Sequence, residues 1–114
     1  MSIRAITRPL KTANITVVSN ATSLHVQGDK VTKLSAIPGQ EAVNPASISV
    51  DLTVQDPQTL PGVLAAAEAL ELMFNVEDAL ELGLLLVAMG LENTSSDRIS
   101  ATLDRLTQLI SELS

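Results

Sequence analysis

The sequence predicts an α+β fold, a small and mostly antiparallel sheet from the N-terminal half packed against about three C-terminal helices. Three observations predict it. β-branched and alternating apolar residues fill the stretch from 13 to 55, the densest apolar run lies between Pro61 and Leu91, and apolar residues recur at helical spacing from Ile99 to Leu113. With 114 residues the chain has the size of one domain, which buries about two thirds of the surface its unfolded form exposes. The expected organisation is an extended basic arm over residues 1–12 and a single domain over 13–114. Strands occupy 13–55 of that domain and helices 60–114.

In the arm, Ile3 and Ile6 alternate with Arg4, Arg8 and Lys11 along an extended segment. A neighbouring copy and the body of the same chain are its two candidate anchors. Ile15-Thr16-Val17-Val18 reads as a strand and residues 19–22 as a turn. Gly28-Asp29 then stands between two extended runs, which suits a two-residue type II′ hairpin with Val26 opposite Val31. Pro38-Gly39 and Asn44-Pro45 mark a loop over 36–46. The clearest strand follows. Ile48, Val50, Leu52 and Val54 alternate with Ser47, Ser49, Asp51 and Thr53, giving one buried and one wet face.

The run from Pro61 to Leu91 predicts two helices with a break near Asn75. One continuous helix would bring Glu77 and Glu81 onto the side of Val63, Leu70 and Phe74. Pro61 suits a first turn, Asn75 an N-cap with Asp78 three residues on, and Gly90 a C′ position with Leu91 touching Leu86. The second of these helices is apolar on every face from Leu82 to Met89, so it must be covered on all sides. It is far shorter than the roughly 20 residues of a bilayer span, so the cover is protein. Thr94 and Asp97 form a capping-box pair ahead of the last helix. There Ile99, Leu103, Leu106, Ile110 and Leu113 follow one another at heptad spacing. Two heptads are too few for a free-standing coiled coil, so the seam docks on this chain's core or on another subunit.

Charge divides the chain. Residues 1–50 carry five basic and two acidic side chains, a net of +3; residues 51–114 carry two basic and eleven acidic ones, a net of −9. The overall charge of −6 argues against nucleic acid as the main partner. Apolar character is aliphatic, with Phe74 the single aromatic, and the missing Trp and Tyr remove the stacking platforms that single-stranded nucleic acid and sugars need. Without cysteine there is no thiolate chemistry, and the N-terminus lacks the apolar segment of a signal peptide. Synthesis in the cytosol is the expectation, with a particle such as a virion as the vehicle elsewhere.

No catalytic constellation is legible. His25 is the one histidine, set in an expected strand with no partner for metal or nucleophile. Glu77 and Glu81 lie one turn apart and, with Glu68, Glu71 and Asp78, form an acidic group that reads as a solvated or docking face. No Gly-rich loop feeds a helix, so a phosphate cradle is absent from the sequence. Neither a cofactor nor a metal is expected. The pattern points to a non-enzymatic structural or assembly protein, a homo-oligomer or a small subunit of a larger particle, for example a phage head-decoration or tail-associated protein. The alternative is an adaptor whose helices form an apolar groove for a peptide or ligand. The expected interface comprises Ile3, Arg4, Ile6, Arg8 and Lys11 of the arm, Leu85, Leu86 and Met89 of the apolar helix, and Leu103, Leu106, Leu109, Ile110 and Leu113 of the last one.

Overall fold

The computed structural model describes residues 4–20, 23–55 and 69–113. The chain divides into two compact units, Met1–Val76 and Glu77–Ser114. Among the described residues the first contains four strands, β1 (Ala5–Val18), β2 (Ser23–Leu34), β3 (Ser47–Val54) and β4 (Ala69–Asn75). They form one sheet in the order β1-β2-β3-β4, with every neighbouring pair antiparallel. The second unit holds α1 (Val76–Leu91, whose first residue belongs to the sheet unit) and α2 (Ser96–Leu113). The α+β class and the antiparallel sheet are as the sequence predicts.

The register makes one face of the sheet apolar. Ile15 lies opposite Val26, Val26 opposite Val54, and Leu52 opposite Leu70, so these side chains share that face. Leu24, Val26, Leu52 and Val54 are its buried core, with Ile15, Val50 and Leu70 packed around them. Val26 and Leu52 are only 1% exposed. Full burial of such a side chain contributes about 1.5–3 kcal/mol each, so these four supply much of the sheet's stability. Further along the same face Val31, Ile48, Val50 and Phe74 are half-buried and Leu72 is exposed.

Several expectations need correction here. The sequence predicts about three helices, whereas two are present among the described residues. Residues 69–75, read as the end of a first helix, form β4 and pair with β3, Leu72 opposite Val50 and Phe74 opposite Ile48. Ala, Leu, Glu and Met favour a helix locally, but without β4 this edge of β3 would present a row of unpaired backbone groups. The start of that expected helix at Pro61 lies outside the described residues.

Gly28-Asp29 is not a hairpin turn, because β2 continues through it. The ladder shifts register between Gly28 and Lys30, leaving Asp29 as the extra residue of a bulge. Val26 therefore faces Ile15 and Val54, and Val31 faces Arg8 and Val50. The bulge keeps the buried positions in phase, and the Asp29 carboxylate accepts a hydrogen bond from the Thr53 hydroxyl. Gly28 is buried, and a Cβ there would stand 2.7 Å from Leu10 Cδ1 and 3.1 Å from the Ala13 Cβ. Close approach of β1 explains the glycine.

The N-terminal segment is extended, as expected, but residues 5–12 are the first half of β1 and pair with β2, Ala5 opposite Leu34 and Pro9 opposite Lys30. Of the two candidate anchors, the body of its own chain holds this segment. Pro9 lacks a backbone donor and stands on an outer strand of the sheet, the position that tolerates the loss.

Candidate interaction surface

α1 begins where the sequence places a break. Asn75 sits at its N-cap position, and Glu77 and Asp78 occupy the first turn, where carboxylates favour the positive end of the helix dipole. Its end differs from expectation. The helix runs through Gly90 to Leu91, and Asn93, not Gly90, takes the left-handed conformation with φ 60°. Asn tolerates that region because its short polar side chain bonds locally. Thr94 closes the helix, its backbone N–H donating to the Leu91 carbonyl at 3.1 Å and its hydroxyl to the same oxygen at 2.7 Å. With Thr94 so engaged, the N-cap of α2 is Ser95, whose hydroxyl accepts from the Arg98 N–H at 3.2 Å.

No residue of either helix is buried. Along α1, Leu80, Leu82, Leu84, Leu85, Leu86, Val87 and Met89 are between 42 and 69% exposed. Along α2 the heptad seam Ile99, Leu103, Leu106, Ile110 and Leu113 is between 38 and 60% exposed, with Leu109 half-buried beside it. Leu85, Ala88, Met89 and Leu91 of α1 meet Ile99 and the connector residue Glu92 around an apolar groove. Of the interface residues expected from sequence, Leu85 and Met89 are thus brought together in one groove, and Leu86, Leu103, Leu106, Ile110 and Leu113 lie exposed on the same two helices. Arg4, Ile6, Arg8 and Lys11 belong to the sheet unit, exposed except for half-buried Ile6, and Ile3 lies outside the described residues. Sequence reasoning missed Ile99 as a groove residue, although its place in the seam was visible.

The acidic group is divided. Glu77, Asp78 and Glu81 lie on α1, whereas Glu71 is on β4 directly opposite Asp51 of β3, and Glu68 lies outside the described residues. A hydrogen bond shared with the Asp51 carboxyl, some desolvation and the like charge hold the Glu71 carboxyl above its usual range. Lys30 Nζ stands 3.7 Å from the Asp51 carboxylate. Among the described residues no group of three or more His, Cys, Asp or Glu side chains is placed to hold a metal ion. His25 is exposed on β2, with Nδ1 3.3 Å from the Thr16 hydroxyl.

No helix among the described residues is long and apolar enough to cross a membrane. Among the described residues the exposed aliphatic side chains of α1 and α2 are the candidate surface. No protein-family model matches the chain, and neither a curated protein nor a solved structure does.

Proposed function

We propose that this chain is a non-enzymatic assembly protein that associates with copies of itself through its helical unit, either as a free homo-oligomer or as a small subunit of a larger particle. A virion accessory subunit is one concrete form. The observation that carries the reading is the exposure of every large apolar side chain of α1 from Leu80 to Met89 together with the whole α2 seam. Single exposed leucines are ordinary, but a contiguous aliphatic surface of this extent is costly in water and marks an interface. Burial of these side chains supplies the affinity. The charges on α1 supply mainly orientation, since exposed ion pairs contribute little.

The groove bordered by Leu85, Met89 and Ile99 supports a second reading, an adaptor that takes an apolar peptide or helix from another protein. Absolute mass by light scattering after size exclusion separates the two. Detection is by refractive index, because a chain without Trp or Tyr barely absorbs at 280 nm. A defined oligomer, retained from low to high salt because apolar burial holds it, is the expected result. A monomer at both salt concentrations overturns self-association and leaves the adaptor.

A further inference from the structure

We draw no further inference here: the strongest candidate, the exposed aliphatic face of α1 and α2 around the groove bordered by Leu85, Met89 and Ile99, carries nothing beyond the reading above because nothing in the structure shows what covers it.

Discussion

The sheet unit and the helical unit of this chain solve the same problem differently. Both are rich in aliphatic residues, yet Leu24, Val26, Leu52 and Val54 of the sheet are buried, while no residue of α1 or α2 is. A strand puts its apolar residues on one side, so one cover suffices for four strands at once. A single helix that is apolar all round cannot be covered by one short neighbour. The difference separates a sheet with a buried core from a helical unit whose stability depends on concentration if copies are its cover.

The largest expected effect lies in the sheet. Leu52→Ala removes a side chain that is 1% exposed and should cost about 2–5 kcal/mol, read as a fall in the chemical unfolding midpoint by circular dichroism. A cost that disappears on raising the protein concentration would break the comparison, since it would make the sheet's stability intermolecular too. A middle-sized effect is expected at the junction of the helices. Ser95→Ala removes the acceptor of the Arg98 N–H and should destabilise α2 by about 1 kcal/mol, with the sheet unaffected. Amide hydrogen exchange resolves the two units separately. Faster exchange confined to α2 sharpens the contrast, and equal acceleration in β2 and β3 would mean that the units unfold as one.

The smallest effect is electrostatic. Because the Glu71 carboxyl is held above its usual range, the folded sheet binds that proton more tightly than the unfolded chain. The associated stability is full at acid pH and is lost as pH rises through the raised value. At neutral pH the two opposed carboxylates of Glu71 and Asp51 therefore weaken the β3–β4 pairing. Glu71→Gln should raise the thermal midpoint slightly at pH 7 and show no gain below about pH 4, where carboxyls are protonated in both states. A loss of stability at pH 7 would show that Glu71 is bound by a favourable partner instead.

Several features were legible because their cause is local. β3 follows from strict alternation of Ile48, Val50, Leu52 and Val54, the start of α1 from Asn75 with acids behind it, and α2 from the spacing of Ile99 to Leu113. The apolar surface could be located for the same reason, since Leu85, Met89 and the α2 seam stand where helical periodicity sets them. Two other features were hidden. Leu70, Leu72 and Phe74 do alternate, but helix-forming neighbours mask the pattern over so short a stretch. Gly28-Asp29 carries the composition of a turn, and only β1 and β3 ladders running past it on both sides make it a bulge.

The sequence by itself determined which residues are apolar and with what period, because a strand's alternation and a helix's turn are set by the chain's own backbone. Only the tertiary structure decided that residues 69–75 are a strand, that residues 5–12 lie along β2, and that no residue of α1 or α2 is fully buried. Strand pairing and burial are properties of two segments at once, and the free energy of an unpaired edge or an uncovered leucine is not written in either segment alone.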